Sequence, residues 1–333
     1  MSEAPAVSLA VVGLGYWGPN LARNVAAIPG VRLAWCCDAD AALLEAAGAQ
    51  FPGAARSDSL AEVLADETLD GVLLATPVRT HGELAVAVLE AGKHCFVEKP
   101  LAHSVAAAQR AVDAAAASGR LLMVGHLLEY HPGVRALADL IERGELGDIH
   151  YIYSNRLNLG QLRADENALW SLGAHDVAVI LGLAGGEEPV ELDARGECYM
   201  REGIEDVVFA FMRFASGLSA HLHLSWLDPH KERRITVVGS RRMATFDDMA
   251  IERKLTVYDK GFDERTDSWG EYIARSGAST SPRIAPTEPL RLEVEHFVEC
   301  IRTGAVPRSD GASGLRVVRV LEGLQAQLAA SRR

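Results

Sequence analysis

Three closely spaced glycines near the start of the chain have the spacing of a pyrophosphate-binding turn. Gly13, Gly15 and Gly18 form a G-x-G-x-x-G pattern directly after the apolar run of residues 7–12, where a buried strand would end and a helix would begin. The first glycine permits a tight turn, the second lets phosphates approach the backbone, and the third lets the helix pack closely on the strand. The free N–H groups of the helix N-terminus then face the anion. An ordinary tight turn is the alternative interpretation.

An aspartate at the end of the second apolar run predicts which dinucleotide binds. Asp38 ends the run VRLAWCCD and lies 20 residues beyond Gly18, where dinucleotide-binding folds place the carboxylate that hydrogen-bonds the adenosine ribose. No arginine for a 2′-phosphate follows in residues 39–42, so the sequence predicts NAD rather than NADP. A cap on the next helix is the alternative role of Asp38.

Polar residues also stand at the ends of three later apolar runs. They are Thr76 and Pro77 with His81 close behind, Glu98 and Lys99, and His126. Ligands bind outside the carboxyl ends of parallel strands, so these residues are candidates for binding the cofactor or the substrate. Lys99 has the chemistry to relay a proton, because partial burial and neighbouring charges lower the pKa of a lysine ammonium group. A loop lysine paired with Glu98 is the alternative.

A parallel sheet is needed to position these residues, and the first half of the chain has the pattern of one. Predicted strands after the first are at residues 31–38, 71–75, 94–98 and 121–125, and predicted helices are at 19–28, 39–50, 60–65, 81–91 and 104–118. Repeated β-α units of this kind form a doubly wound parallel sheet with helices on both faces, as in a Rossmann fold.

From His150 onward the pattern changes to long strands separated by turns. The predicted strands lie within residues 151–160, 190–200, 204–214, 218–228 and 231–240, and the predicted helices are at 168–183, 291–303 and 309–330. These strands fit a large, mostly antiparallel open sheet with one face covered by helices. The sequence therefore predicts an α/β protein with an NAD-binding Rossmann domain of residues 1–126. A substrate-binding and oligomerisation α+β domain of residues 127–333 follows, and its last helices are expected to pack back on the fold.

The second domain has candidate substrate-binding residues in and just after its first strand. Arg156, Asn158 and Arg163 have the groups to bind a nucleotide diphosphate, a carboxylate or sugar hydroxyls, because arginine binds oxyanions in a bidentate way. A solvated sheet face is the alternative.

Alternating polar residues mark one face of a later strand. His221, His223 and Ser225 point to the same face, but nothing completes a metal-ligand set with them. They are interpreted as a hydrated or subunit-facing surface, and no metal site is predicted.

The polar residues 260–288 are predicted to form a long loop. Loops of this length are usually lids or binding segments, or are disordered. Trp269 and Tyr272 within it favour contact with a substrate or a neighbouring subunit.

Composition and charge restrict the class of partner. The formal net charge is -12 and no dense basic run occurs, which argues against nucleic-acid binding and favours small ligands. No apolar run is long enough to span a bilayer, and residues 1–7 lack the pattern of a signal peptide, so a cytoplasmic protein is expected. The five cysteines show no C-x-x-C spacing, so neither a disulfide framework nor a zinc site is indicated.

Four segments carry a family resemblance. They are GLGYWG at residues 13–18, ATP at 75–77 with His81 behind it, VEKPLA at 97–102 and GAHD at 173–176. With them the chain resembles the Gfo/Idh/MocA family of NAD(P)-dependent oxidoreductases, which includes glucose-fructose oxidoreductase and inositol dehydrogenase. The resemblance extends over essentially the whole chain. It adds Tyr16 and Trp17, within the first segment, to the expected cofactor contacts.

The resemblance implies hydride transfer between nicotinamide and a carbon of a sugar or cyclic polyol. It implies that Lys99 orients the reacting oxygen and that His175 accepts or donates the proton. Relatives often carry an aspartate four residues before this histidine, where this chain has Ser171. Asp176 and Glu129 are therefore the candidates for acidic partners, and Ser171 and Asp176 join the expected substrate contacts.

Residues 154–160 and 166–176 are similar to segments of relatives linked to nucleotide-sugar 3-dehydrogenation. The leading hypothesis is therefore an NAD-dependent enzyme that oxidises a nucleotide-activated sugar in sugar biosynthesis, and a dehydrogenase of a free sugar or cyclitol is the alternative. A non-catalytic dinucleotide-binding regulatory protein is the alternative from another class, and the presence of both Lys99 and His175 argues against it. Relatives commonly pack their open sheets together, so a homodimer or homotetramer through the C-terminal sheet is expected.

Overall fold

The computed structural model describes residues 7–160, 162–163, 166–264 and 272–331. The chain divides into two compact units, each with its own sheet. The first unit is drawn from residues 1–130 and 287–319, and the second is drawn from residues 131–286 and 320–333. In the described ranges, no helix is both long enough and apolar enough to cross a membrane.

The first unit contains a six-stranded parallel sheet. Its strands are β1 (Val7–Val12), β2 (Val31–Cys37), β3 (Ala55–Ser57), β4 (Gly71–Leu74), β5 (His94–Glu98) and β6 (Leu122–Gly125). Their spatial order is β3-β2-β1-β4-β5-β6, and each neighbouring pair is parallel. Because parallel sheets are covered on both faces, β1, β4 and β6 are buried along their whole length. The predicted doubly wound sheet is confirmed, and its strand order reverses between β1 and β4.

Five helices connect the strands of this sheet. They are α1 (Gly18–Ala27), α2 (Ala41–Gln50), α3 (Leu60–Leu64), α4 (Val78–Glu90) and α5 (Val105–Ser118). Side-chain oxygens cap the N-termini of two of these helices. Asp40 accepts from the N–H of Ala42 at 2.8 Å, and Ser104 accepts from the N–H of Ala107 at 3.3 Å. Asp40 rather than Asp38 therefore caps α2. A single 3-10 turn, Leu127–Tyr130, follows β6 and was not predicted.

The second unit contains an eight-stranded sheet. Its strands are β7 (Ile149–Leu159), β8 (Pro189–Glu197), β9 (Val207–Phe214), β10 (Ser219–Ser225), β11 (Leu227–Gly239), β12 (Met243–Asp247), β13 (Leu255–Glu264) and β14 (Tyr272–Thr280). Their order is β14-β13-β12-β11-β7-β10-β9-β8, and only the β7/β10 pair is parallel among the neighbours described. Buried positions alternate with more exposed ones along β9, as expected for a sheet with one covered face. The predicted mostly antiparallel sheet is confirmed.

The prediction of a long loop over residues 260–288 is wrong over much of that range. Residues 257–264 of β13 pair with residues 272–280 of β14 through an antiparallel ladder. Nearly every residue of β14 is exposed, so its sequence lacks the alternation of apolar and polar residues that marks a half-buried strand. Tyr272 lies in β14 and is 67% exposed, whereas Trp269 lies outside the described residues.

The helices of the second unit are α6 (Pro132–Glu142) and α7 (Ala174–Leu183). Helix α6 was not predicted from the sequence. It begins after His131, whose Nδ1 accepts from the N–H of Gly133 at 3.0 Å. The helix predicted at residues 168–183 is present, but residues 169–173 form a π-helical turn rather than α-helix.

Two helices, α8 (Pro289–Thr303) and α9 (Gly311–Ser331), end the chain. Leu290, Val294 and Phe297 of α8 belong to the same buried apolar cluster as residues of β1, β2 and α1. The rings of Phe297 and Phe96 meet edge-on, with 5.8 Å between their centroids. This packing holds α8 against the Rossmann sheet of the first unit.

Candidate active site

The glycine-rich turn in the first unit has the geometry of a phosphate-binding site. Gly13 has a φ of 89°, and a Cβ there would lie 2.6 Å from the carbonyl carbon of Ala75. A Cβ at Gly18 would overlap the carbonyl oxygen of Gly13, so close packing also requires glycine at that position. A Cβ at Gly15, in contrast, would meet no atom within 4 Å. The open approach at Gly15 beside the N-terminus of α1 fits a pyrophosphate.

The carboxylate of Asp38 is held next to this turn. Its Oδ2 accepts from the N–H of Leu14 at 2.6 Å and its Oδ1 accepts from the N–H of Asp40 at 2.9 Å. Asp38 thus joins the end of β2 to the glycine-rich turn, in the position where such folds bind the adenosine ribose. The turn, the helix N-terminus and this carboxylate together fit NAD.

The two aromatic residues of the turn are placed differently from each other. Tyr16 is 85% exposed, whereas Trp17 is half-buried and packs against the apolar cluster of the first unit. The described contacts of Trp17 are therefore those of a packing residue, and Tyr16 has the more accessible ring for contact with a ligand.

His81 has a positioning role instead of an open binding surface. It is 2% exposed, and its ring nitrogens lie 2.8 Å from the carbonyl oxygens of Pro100 and Thr76. Burial lowers the pKa of His81, and the two carbonyls act in the opposite direction. Both ring nitrogens contact the backbone, and the role of His81 in binding the cofactor stays a prediction. It joins the end of β4, where Thr76 and Pro77 lead into α4, to the turn that carries Lys99.

The end of β5 brings together several titratable groups. Burial raises the pKa of Glu98 to about 7, while the charge and the backbone N–H of Lys99, 3.2 Å from Glu98 Oε2, oppose this shift. Burial and the charge of Lys99 lower the pKa of His126 to about 3, so its ring is neutral at physiological pH. Neither ring nitrogen of His126 has a hydrogen-bond partner among the described residues. The positions of Lys99 and His126 match the sequence-based expectation that both stand at strand ends.

In the second unit, two of the predicted substrate-binding residues bind each other. Arg156 on β7 is 7% exposed and Asp176 on α7 is 1% exposed. Arg156 Nε lies 2.5 Å from Asp176 Oδ2, and Ser154 Oγ donates to Asp176 Oδ1 at 2.6 Å. These groups satisfy one another inside the unit, and contact of Arg156 and Asp176 with the substrate stays a prediction. They form a buried ion pair that holds α7 on β7, one residue away from His175.

The π-helical turn precedes His175 and is anchored at its start. Asn167 Oδ1 accepts from the N–H of Trp170 at 3.1 Å, and its Nδ2 donates to Glu205 at 2.6 Å and to Gln325 at 2.8 Å. Turns of this type occur often at functional sites, because the extra residue re-aims the following side chains. Ser171 within the turn and His175 just after it are both partly accessible.

Asn158 and Arg163 differ in accessibility. The Asn158 Oδ1 atom is buried and has no hydrogen-bond partner in the described part of the chain. Arg163 has a side chain that is 55% exposed, and its Nε lies 3.1 Å from Glu166 Oε1. Residues 164 and 165, within the polar segment that follows, lie outside the described residues.

Glu293, a fully buried acid of the first unit, was not among the residues predicted for the site. Glu293 stands on the apolar face of α8 with Leu290, Val294 and Phe297. An acidic residue at i+3 in an otherwise apolar i, i+4, i+7 pattern was the available signal. Glu129, considered before only as an acidic partner, is also buried, at 9% exposure.

Comparison with known proteins identifies the family. The family model described as "Oxidoreductase family, NAD-binding Rossmann fold" matches residues 7–126, and the model described as "GFO/IDH/MocA C-terminal domain" matches residues 134–245. The chain belongs to the Gfo/Idh/MocA family of oxidoreductases. The predicted family, enzyme class and NAD-binding Rossmann fold are thereby confirmed.

Several relatives are similar to this chain over much of its length. UDP-N-acetylglucosamine 3-dehydrogenase from Acidithiobacillus ferrooxidans is 28% identical over 92% of this chain and 93% of its own. Its solved structure has a TM-score of 0.84 at 26% identity and covers 97% of both chains. A scyllo-inositol 2-dehydrogenase (NAD(+)) from Bacillus subtilis is 25% identical over 90% of this chain and 88% of its own. Inositol 2-dehydrogenase 1 from Mycolicibacterium vanbaalenii is 32% identical over 67% and 66%.

Proposed function

We propose that this chain is an NAD-dependent dehydrogenase that oxidises a secondary hydroxyl of a nucleotide-activated sugar at the 3-position. The observation that carries the proposal is the polar end of β5, where Lys99 stands beside the buried Glu98. With the adenosine ribose at Asp38 on β2, a dinucleotide crosses the sheet at β1 and β4, so its nicotinamide half extends toward the end of β5. The name of the Acidithiobacillus relative supports the substrate class.

Two side chains carry the chemistry in this proposal. Bound NAD supplies the hydride acceptor. Lys99 donates a hydrogen bond to the reacting oxygen and so orients the carbon that loses hydride. His175 takes the hydroxyl proton as a general base. The buried Arg156–Asp176 pair keeps the start of α7, and therefore His175, in one position.

A cyclitol substrate is the second candidate, because two of the relatives are named as inositol dehydrogenases. The diphosphate of a nucleotide sugar calls for an available cation, and the guanidinium of Arg156 is already paired with Asp176. Arg163 pairs with Glu166, but its side chain is 55% exposed, so it is the arginine that we assign to the diphosphate. Replacement of Arg163 by Ala should raise KM for a nucleotide sugar while leaving KM for an inositol unchanged.

The decisive experiment is a substrate screen followed by absorbance of NADH. UDP-N-acetylglucosamine, free N-acetylglucosamine, scyllo-inositol and myo-inositol are each supplied with NAD, with Lys99→Ala as the inactive control. We expect the highest kcat/KM with the nucleotide sugar and a 3-keto product by mass spectrometry. A higher value with an inositol would favour the second candidate. NAD binding without NADH formation from any substrate class would favour a regulatory protein.

We also propose that one face of the eight-stranded sheet mediates a homodimer or homotetramer. Tyr153 and His221 stack at 5.3 Å, and Phe209 and His223 stack at 4.4 Å, so half-buried and exposed rings cover this face. Ser225, predicted to share the hydrated surface, is only 3% exposed, because the end of β10 runs into the interior. Phe209, at 53% exposure, is the residue to change: Phe209→Asp should give a smaller species in light scattering. An unchanged mass would contradict this assignment of the interface.

A further inference from the structure

Three buried glutamates of the first unit surround the end of β5. Glu98 on β5 and Glu129 in the 3-10 turn are each 9% exposed, and Glu293 on α8 is 0% exposed. Helix and strand periodicity place Glu293 and Glu98 on facing surfaces. Glu293 precedes Phe297 by one helical turn, and Glu98 follows Phe96 by two strand positions, so each acid shares a face with its ring. Because the two rings are in contact, the acids approach each other in the core.

The backbone of β6 leaves room for this arrangement. Gly125 pairs with Glu98 in the parallel ladder. A Cβ at Gly125 would lie 3.1 Å from the ring of Phe96 and 3.3 Å from the carboxyl carbon of Glu98. Any larger residue at Gly125 would therefore displace the carboxyl of Glu98, which explains the glycine at this position.

Charges around Glu98 come from each element packed against it. Lys99 stands next to it in the chain, the neutral His126 lies at the end of β6, and His81 on α4 is close enough to be influenced by the charge of Lys99. On the other side are Glu293, Glu129 and Tyr130.

The pKa values of Glu293 and Glu98 are shifted by their burial in this group. Burial and the negative charges of Glu98 and Glu129 raise the pKa of Glu293 well above its usual value. Neither carboxyl oxygen of Glu293 has a hydrogen-bond partner among the described residues. The surroundings of Glu293 therefore favour its protonated form. The pKa of Glu98, with Lys99 as its counter-ion, is about 7, so Glu98 changes charge near neutrality.

We propose that Glu98 is a proton site whose charge follows the oxidation state of the bound cofactor. Its carboxyl is ionised beside Lys99 when NAD⁺ is bound and takes up one proton when the ring is reduced. The proposal rests on the hydride-transfer function proposed above. The substrate carbon loses hydride to NAD⁺, its hydroxyl gives its proton to His175, His175 releases that proton to solvent, and Glu98 takes up one proton from solvent. The balance is alcohol + NAD⁺ + Glu98 carboxylate giving ketone + NADH + Glu98 carboxylic acid.

The physical cause is the positive charge of the oxidised nicotinamide ring. A positive charge nearby favours the ionised form of a carboxyl, and this influence disappears when hydride arrives. Glu98 therefore binds a proton more tightly in the same step that produces one. By linkage, binding of NAD⁺ should release a proton from the free enzyme near neutrality, whereas binding of NADH should not.

Titration calorimetry tests the proposal without turnover. NAD⁺ and NADH are each titrated in two buffers that differ in ionisation enthalpy, which gives the number of protons released. Wild type should release a proton with NAD⁺ only. Below the pKa of Glu98, the affinity of wild type for NAD⁺ should increase by up to about tenfold for each unit of pH increase, because binding releases one proton. Glu98→Gln should abolish both effects.

Two control variants make the test specific to Glu98. Glu293→Gln keeps the shape of the buried acid and removes its titrating group, so proton release from Glu98 should persist. Glu295→Gln changes an acid of the same helix that is 41% exposed and paired with Arg291, and it should also leave the release unchanged. Loss of the release in Glu293→Gln but not in Glu98→Gln would overturn the assignment to Glu98.

If Glu98→Gln does not fold, the titrations of wild type with NAD⁺ and NADH still test the proposal. Equal proton release with NAD⁺ and NADH, or none with either, overturns the proposal even when the enzyme oxidises its substrate. Absence of binding by both nucleotides would refute the proposed function as well. A redox-dependent release with no turnover of any sugar would support the proton site and refute only the substrate assignment.

Discussion

The buried ion pair of the second unit offers a quantitative prediction about stability. Asp176→Ala removes the partner of Arg156, whose guanidinium is 2.5 Å from the carboxylate and 7% exposed. It also leaves the hydroxyl of Ser154 without its acceptor at 2.6 Å. Removing one member of a buried pair typically costs about 3–5 kcal/mol, because an uncompensated charge stays in the interior. At roughly 2–4 °C per kcal/mol for a unit of this size, Tm should fall by about 6–20 °C.

The assay is chemical and thermal unfolding followed by a probe in the second unit, since the two units need not unfold together. Glu191→Ala is the matched control, because Glu191 pairs with Arg213 at a similar distance, 3.0 Å, but at 60% and 57% exposure. It should cost under about 1 kcal/mol. The double variant Arg156→Met, Asp176→Leu should recover most of the loss, since apolar groups replace both charges. A loss in Asp176→Ala no larger than in Glu191→Ala would refute the reasoning.

The remaining predictions concern cofactor choice, chemistry and pH. Asp38→Ala should narrow the preference for NAD over NADP, measured as the ratio of the two Kd values, and an NADP affinity in wild type equal to that for NAD would contradict it. Lys99→Ala and His175→Ala should each lower kcat by about 10²–10⁴ with little change in Kd for NAD. Unchanged kcat in His175→Ala would move the proton-transfer role to another residue. Glu293→Gln should raise the free energy of unfolding at neutral pH, because glutamine is buried without the proton uptake that the raised pKa of Glu293 requires on folding. The pKa of Glu293 is raised on folding, so its favourable contribution is present below the unfolded value of about 4.3 and is lost as pH rises toward the folded value. The free energy of unfolding of Glu293→Gln relative to wild type should therefore grow with pH in urea titrations. A pH-independent difference in this free energy would argue against a raised pKa of Glu293 in the folded state.

Much of the fold follows from local sequence signals. The strands β1, β2, β4 and β5 are short apolar runs, and their burial in a parallel sheet requires no contact information beyond that pattern. The elements that were missed are those whose order comes from their neighbours. For example, β14 is exposed on both sides and exists because its backbone pairs with β13.

For the candidate site, sequence alone determined which residue types stand at the strand ends, because a glycine-rich turn and a strand-end lysine depend on neighbours in the chain. Tertiary structure decided which of those groups remain available for a ligand. His81 and Arg156 looked like binding residues, yet each is satisfied by an acceptor 19 or 20 residues away. Glu293 is 195 residues from Glu98, and only the packing of α8 on β5 brings the two acids together. Hydrogen bonding and burial depend on distances through space, and these distances decide whether a polar side chain serves the fold or the chemistry.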